Sequence, residues 1–561
     1  MELLVSGAVG NNFNANTRDV DLKSLKQAVI KGLLEKPKDT DKGSCIELLS
    51  KIDIKEAKEV LAPLLANLPP ALQYQSLEVM LSAGVDSLYL PEVRALLEQP
   101  QGTVTPEVFA LALRYLWLAE NNSNLEQLER YLEIQQHSLI RGTAATLLLR
   151  QGNAKQRVAA TKTLTKLLSH KEEKVRINAV KVLNESAYLQ TLRIHIPNLL
   201  QDESLRVRCA VLEMIAATRL EEFYHALMAG ICYKSTRVQA MKAMITLGNE
   251  ALPKLLQLAN DAYQPEIVRM YAWQTIGQIF TSEVINTLWL HLEKSYGKTR
   301  NYILRALIKQ YQQAGIIGLA NRWHLSRVEQ LIQQELAFLG EIYAAYTDLK
   351  TQEIWESQTS KIYLACQLLE KSLLELEKDI KESLLLLLKL ICSPKKIQAA
   401  TFHLRSDSGA EIARGLEILE HSVHNLQYKS ILLQIFDRLT PEEKLKQIIK
   451  EDILTSEPML VSDRIRSLIA QNHLLSDWCL ACCFHLAKVA CIKLSIPLIL
   501  SSLRHPTGFV REAALAYISI AAKNVLDKIL LQMKNDPDPL VAGLVQQLMS
   551  SSTNNCETIH N

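Results

Sequence analysis

Cys479, Cys482, Cys483, His485 and Cys491 form the one cluster in this chain whose residue types could ligate a metal. On a helix the first three share a face, at i, i+3 and i+4. Zinc asks for four such ligands in a tetrahedral array, and no second Cys-x-x-Cys follows to complete one. The thiols therefore read as small buried hydrophobes, and no metal is expected. Gly297-Lys298-Thr299 matches the end of a phosphate-binding loop. The glycine that such a loop needs five positions earlier is Leu292, and no strand pattern precedes it. His421 and His424 flank no Glu in a His-Glu-x-x-His arrangement, and no Gly-x-Ser-x-Gly elbow occurs. The sequence assigns no catalytic residue, no cofactor and no partner-binding residue, and it reads as a non-enzyme.

Trp273, Trp289, Trp323, Trp355 and Trp478 are the remaining conspicuous side chains. At helical spacing they read as core or seam aromatics, with one or two free to anchor a partner, because binding hot spots favour Trp.

The elements that carry these residues are helices. The 561 residues are 48% hydrophobic and 22% charged, with only 19 Gly and 17 Pro, a composition that suits many helices joined by short turns. Sixty-three Lys and Arg against 60 Asp and Glu leave a net charge of +3, without the basic excess of a dedicated nucleic-acid binder. Ten cysteines without a regular framework fit a reducing compartment. The first residues lack the cationic and apolar regions of a signal peptide. The apolar run Leu384–Leu388 is far shorter than the ~20 residues that span a bilayer. A water-soluble, cytoplasmic chain is expected.

One element recurs: a polar turn, a β-branched residue, an Arg, then Ala and Leu at helical spacing. Its copies are Val175-Arg176 with Ala179, Val207-Arg208 with Ala210, Val238-Gln239 with Ala240, and Val268-Arg269 with Ala272. Thr299-Arg300 is a weaker copy, Ile140-Arg141 an upstream one, and Val510-Arg511 with Ala513 a downstream one. Degenerate copies stand at Asp477–Cys482 and Pro539–Ala542. From 176 to 300 the Arg-equivalent positions (176, 208, 239, 269, 300) are spaced by 32, 31, 30 and 31 residues. These residues resemble the opening of the first helix in a HEAT repeat, following turns such as Asp536-Pro537-Asp538-Pro539. The expected fold is all-α: an α-solenoid, or superhelix, of HEAT-like (armadillo-like) helical hairpins. Each hairpin has too wide an apolar face to bury alone. The recurring Arg is expected to hold carbonyls or carboxylates of a neighbouring hairpin rather than line a basic groove.

Along the chain, residues 1–40 read as a polar entry with one helix, Leu22 to Leu34. A HEAT-like array follows over 41–324, most regular at 136–320. Register is lost over 325–457, where longer helices are expected at Val328–Tyr346, Gln352–Leu390 and Ala410–Phe436; these read as larger hairpins rather than an inserted domain. HEAT-like repeats return over 458–549, and 550–561 reads as a disordered tail. Lys36–Gly43 reads as a loop. Thr440-Pro441-Glu442-Glu443 reads as a helix start with a capping box.

The layout also resembles the soluble C-terminal HEAT region of bacterial nucleotide-translocase-like membrane proteins, of the ADP/ATP-carrier and major-facilitator type. The stretches that carry this likeness are residues 20–60, Ala413–Glu420 with Leu426–Lys429, and Ser476–Cys482. The resemblance implies a regulatory or docking part that sits beside a transporter-like membrane partner, peripheral to the inner face of a membrane. No membrane helix is present, so transport itself is not expected of this chain. Its expected partners are other proteins, without nucleic acid. HEAT-like chains also occur among bilin lyases, which implies the alternative of a pigment-protein maturation factor.

Overall fold

The computed structural model describes residues 15–35, 38–99, 103–119, 125–183, 192–313, 322–351, 361–423 and 426–557. At 15–23, 322–324, 351, 523–525 and 551–557 the backbone alone is described. Every regular element among the described residues is helical, and no helix there is long and apolar enough to cross a membrane. The chain forms two compact units, Met1–Lys254 and Leu255–Asn561, divided inside the regular array.

The first unit begins with α1 (Ala15–Glu35), α2 (Asp39–Ile52), α3 (Ile54–Leu61), α4 (Pro70–Ser82), α5 (Leu90–Leu97) and α6 (Pro106–Ala119). It continues with α7 (Leu125–Glu129), α8 (Ser138–Gln151), α9 (Ala154–Leu168), α10 (Glu173–Leu183), α11 (Ile196–Leu200), α12 (Leu205–Ala217), α13 (Tyr224–Cys232) and α14 (Arg237–Leu247). Helices α6, α8, α10, α12 and α14 stack side by side in a row, and the intervening helices close the hairpins behind them.

The second unit opens within α15 (Leu252–Asn260) and runs through α16 (Glu266–Ile276), α17 (Ser282–Leu292), α18 (Gly297–Gln313), α19 (Arg322–Thr351) and α20 (Lys361–Ile391). Then come α21 (Pro394–Leu404), α22 (Gly409–Ser422), α23 (Lys429–Phe436), α24 (Pro441–Lys450) and α25 (Val461–Ala470). The chain closes with α26 (Asp477–Val489), α27 (Ile496–Leu503), α28 (Gly508–Ala521), α29 (Lys523–Met533) and α30 (Pro539–Glu557). Its row is α16, α18, α20, α26, α28, α30. Helix α20 stacks on α26 although α21–α25 lie between them in sequence, so residues 394–470 leave the row and return to it.

The molecule is thus an α-solenoid of stacked HEAT/armadillo-like hairpins. Its cohesion is apolar. In α12, Val207, Val211, Leu212, Met214 and Ile215 are buried against the neighbouring helices, each contributing about 1.5–3 kcal/mol relative to exposure. Local signals set the ends of the helices. Ser204 accepts from the amides of Arg206 and Val207, and Ser476 from that of Cys479. Thr440 and Glu443 form the reciprocal capping box read from the sequence, with bonds of 2.8 and 3.2 Å.

Some boundaries differ from those read in sequence. Helix α2 starts at Asp39, inside the segment read as a loop, because Asp39 and Asp41 favour a helical first turn. Ala410–Phe436 is two helices, α22 and α23, rather than one. Helix α30 continues through 550–557. Residues 1–14 of the polar entry, 352–360, His424 and 558–561 lie outside the described residues.

Candidate functional site

The repeat positions can be placed by burial. Three residues after the arginine, one small or aliphatic side chain enters the seam of each row helix. Ala144, Ala179, Val211, Ala240, Ala272, Ile303 and Ala514 hold that place and are buried. Ala210 and Ala513, singled out in the sequence, sit one residue short of it and are half-buried; Val211 and Ala514 fill the seam instead. The residue before the arginine is likewise buried at Val207, Val268 and Val510, while Val175 is half-buried.

The third copy needs a correction. Val238 is 66% exposed, and Thr236 takes the buried place. The arginine of this copy is Arg237, not position 239. Its Nε donates to Ile231 O at 2.8 Å and its Nη2 to Cys232 O at 3.1 Å, which caps the end of the preceding helix. Four residues separate the preceding helix from Arg237, against seven before Arg176, Arg208 and Arg511, so a Val in sequence register falls on the outer face. Burial of Thr236 and Ala240, not the Val-x-Ala spacing, marks the true register.

Arg176 and Arg511, far apart in the chain, are wired alike. Arg176 donates through Nη1 to His170 O and Lys171 O, at 2.8 and 2.9 Å. Its Nε and Nη2 grip both oxygens of Asp202, each at 2.8 Å. Arg511 donates to His505 O and Pro506 O, both at 2.7 Å, and grips Asp536 at 2.9 and 2.6 Å. Each Asp also accepts the amide two residues on, from Ser204 or Asp538. Burial works against ionisation of Asp202 and Asp536. The guanidinium and the amide outweigh it and hold both carboxyls below the usual range. This fork-to-fork pairing ties one turn to the next. Arg208 donates to carbonyls of its own turn, Asp202 O and Glu203 O. Arg141 reaches Leu132 O at 3.3 Å. Arg300 is fully enclosed and meets Ser295 O and Glu335, both at 2.7 Å. The Nε of Arg269 meets no hydrogen-bond partner among the described residues.

Two residues before the arginine position, the side chain stands outside the seam. In the regular array it is Lys174, Arg206, Ile267 and Lys298. In the last three row helices it is Trp478, Phe509 and Leu540, 47%, 37% and 61% exposed. The Trp478 and Phe509 rings meet edge to face, with centroids 6.3 Å apart. The Thr507 hydroxyl donates to the Asp477 carboxylate and fixes the two turns that present them. This apolar ridge is what the sequence reading missed. The signal was present as three apolar residues at a strict 31-residue spacing. Trp273 and Trp289 are buried; the Trp323 side chain and Trp355 lie outside the described residues.

Cys479, Cys482 and Cys483 are free and buried in the α26 seam, and Cys491 is exposed. Burial raises the Cys482 thiol to about 12. Among the described residues no group of three or more His, Cys, Asp or Glu could hold a metal ion. Gly297-Lys298-Thr299 opens α18, and Lys298 pairs with Glu266 at 3.4 Å.

The second unit holds a further set of buried charges. Arg464 bonds Asp348 at 2.7 Å and Glu341 at 2.9 Å, joining α25 to α19. Glu377 accepts from Tyr343 at 2.8 Å and pairs with Lys381 at 2.7 Å and Lys444 at 3.5 Å. A cavity of about 420 Å³ is lined by Tyr296, Arg300, Glu335, Phe338, Leu454 and His473, among others. Another, of about 760 Å³, lies over α20, α21 and α22, lined by Lys389, Gln398, Thr401, Phe402, Arg405, Ser406 and Glu411. Neither is lined by a cysteine.

No family model and no curated protein matches this chain. Solved structures of distant helical proteins do. A chain of a homology model of the full-length AP-3 complex in an intermediate open conformation is 11% identical, with a TM-score of 0.25, and the match covers 96% of each chain. The UNC-45 chaperone critical for binding and folding muscle myosin is 12% identical, with a TM-score of 0.25, over 93% of this chain and 68% of that one. Kap121p is 12% identical, with a TM-score of 0.20, over 95% and 79%. Superpositions of this quality add nothing to the hairpin stacking itself, on which the solenoid assignment stands.

Proposed function

We propose that this chain is a non-catalytic protein-binding scaffold. The observation that carries the reading is the ridge of Trp478, Phe509 and Leu540. A row helix has room to bury an apolar residue in its seam, yet these three stand outside it at one repeat position. Exposed Trp and Phe held in a rigid frame supply large contact area at little conformational cost, which is how binding hot spots are built. The resemblance of 20–60, 413–420 and 476–482 extends the proposal to a transporter-like membrane partner and a cytoplasmic position at the membrane face.

A photo-cross-linking residue placed at 478 in the full chain tests both levels. One or a few discrete protein adducts are expected, lost when Phe509→Ala and Leu540→Ala are added while the circular-dichroism spectrum is unchanged. A smear without discrete adducts overturns the scaffold reading. Adducts confined to the soluble fraction retire the membrane partner and leave the scaffold standing.

A further inference from the structure

We infer that the cavity over α20, α21 and α22 is a docking site for an acidic, apolar-studded peptide segment of a partner protein. The inference rests on the protein-binding reading and names a second surface, apart from the ridge, with its own chemistry.

Charge comes first. Arg305 on α18, Lys389 on α20 and Arg405 at the end of α21 converge around a single carboxylate, Glu382. Arg305 takes it at 2.6 Å, and Arg405 stands at 3.9 Å. Lys389 lines the cavity, is half-buried, and makes no ion pair among the described residues. Burial, then the nearby Arg405 and Arg305, push its ammonium below the ordinary range, with Glu382 pulling partly the other way. Three cations thus share one anion. The other carboxylate in the wall, Glu411, is already engaged by His403 at 2.5 Å and Arg414 at 3.3 Å. A carboxylate brought to Lys389 would relieve repulsion as well as form a charge-assisted bond.

Shape and polarity then narrow the occupant. Phe402 is 76% exposed at the cavity wall. Gln398, Phe402 and Arg405 fall on one face of α21, together with Lys395. An aromatic ring standing among cations fits a segment that alternates carboxylates with apolar side chains. A nucleic-acid strand fits less well: its continuous phosphates would meet Glu382 and Glu411, and only one ring offers stacking. A free anion would leave Phe402 uncovered.

The test is fluorescence anisotropy with the full chain and a short fluorescein-labelled peptide of alternating Asp and Leu, beside its Asn-for-Asp counterpart. The acidic peptide should bind and weaken with added salt. Lys389→Gln should weaken it about tenfold, since a charged hydrogen bond is lost. Phe402→Ala should weaken it less. Glu382→Gln should tighten it about threefold by removing the competing carboxylate. That gain also separates a binding role from a structural one, because a damaged fold does not bind more tightly. The proposal falls if the peptide fails to bind at roughly 1 mM, if the Asn peptide binds equally, or if Lys389→Gln is silent. It also falls if oligo-dT binds more tightly and is lost on the same substitution, which would make this a nucleic-acid site. Loss of peptide binding with the adducts at 478 intact sinks this site alone. Peptide binding without those adducts sinks only the ridge.

Discussion

Lys444 is 5% exposed, and it shows how a buried charge makes stability depend on pH. Burial, followed by repulsion from Lys381, pushes its pKa down to about 8, against a partial pull from Glu377. In the unfolded chain a lysine titrates near 10.4. The folded state therefore penalises the ammonium, fully below about pH 8, and the penalty fades as pH rises from about 8 towards about 10.4. In Lys444→Met, Glu377 keeps Lys381 and the Tyr343 hydroxyl. The variant's stability relative to the parent, from urea unfolding at several pH values, should decline across that window. A difference that stays constant with pH would place the penalty elsewhere. At this scale the sequence was partly readable. The cysteines gave away their seam positions by helical spacing. The arginines gave away their period but not their wiring: Asp202 and Asp536 sit in turns about 25 residues downstream, where any surface carboxylate reads the same.

Helix contacts decide where a small residue is required. A Cβ at Gly277, just past α16, would lie 2.8 Å from both Cα and Cβ of Ala306 on α18. Gln310 fastens the same turn, donating to Gly277 O at 3.2 Å and Ile279 O at 2.7 Å. Gly277→Ala should lower stability by about 1–3 kcal/mol in urea unfolding, although alanine is the better helix former. A neutral result would show that α16 and α18 can move apart freely. Elements with polar punctuation were legible: Thr440-Pro441 and its Glu443 partner announce α24 without ambiguity. The break between α22 and α23 was not. Leu416, Ile418, Leu419, Leu426, Ile431 and Leu432 keep an apolar rhythm across it, and the break carries no Gly or Pro.

Within the second unit, the row is continuous in space but not in sequence. That is why the repeat vanished near 325: α19 and α20 are long helices, and residues 394–470 lie outside the row before α26 rejoins α20. A period search sees neighbours along the chain and is blind to this return. Stacked hairpins also confine damage to their neighbours. Arg464→Leu leaves Asp348 and Glu341 without their guanidinium, a change that is strongly destabilising for a buried pair. Amides of α19 and α25 should lose hydrogen-exchange protection, while α28 and α30 keep theirs. Uniform loss across all of these helices would mean that the unit opens as one body.

The bond between Arg464 and Asp348 spans 116 residues. During synthesis from the N-terminus, Asp348 leaves the ribosome well before its guanidinium exists. At ordinary elongation rates the delay is on the order of ten seconds. For that interval nascent α19 carries the buried Asp348 and the half-buried Glu341 without the guanidinium that pairs with both. The face of α19 that meets α25 is therefore completed only after residue 464 has emerged.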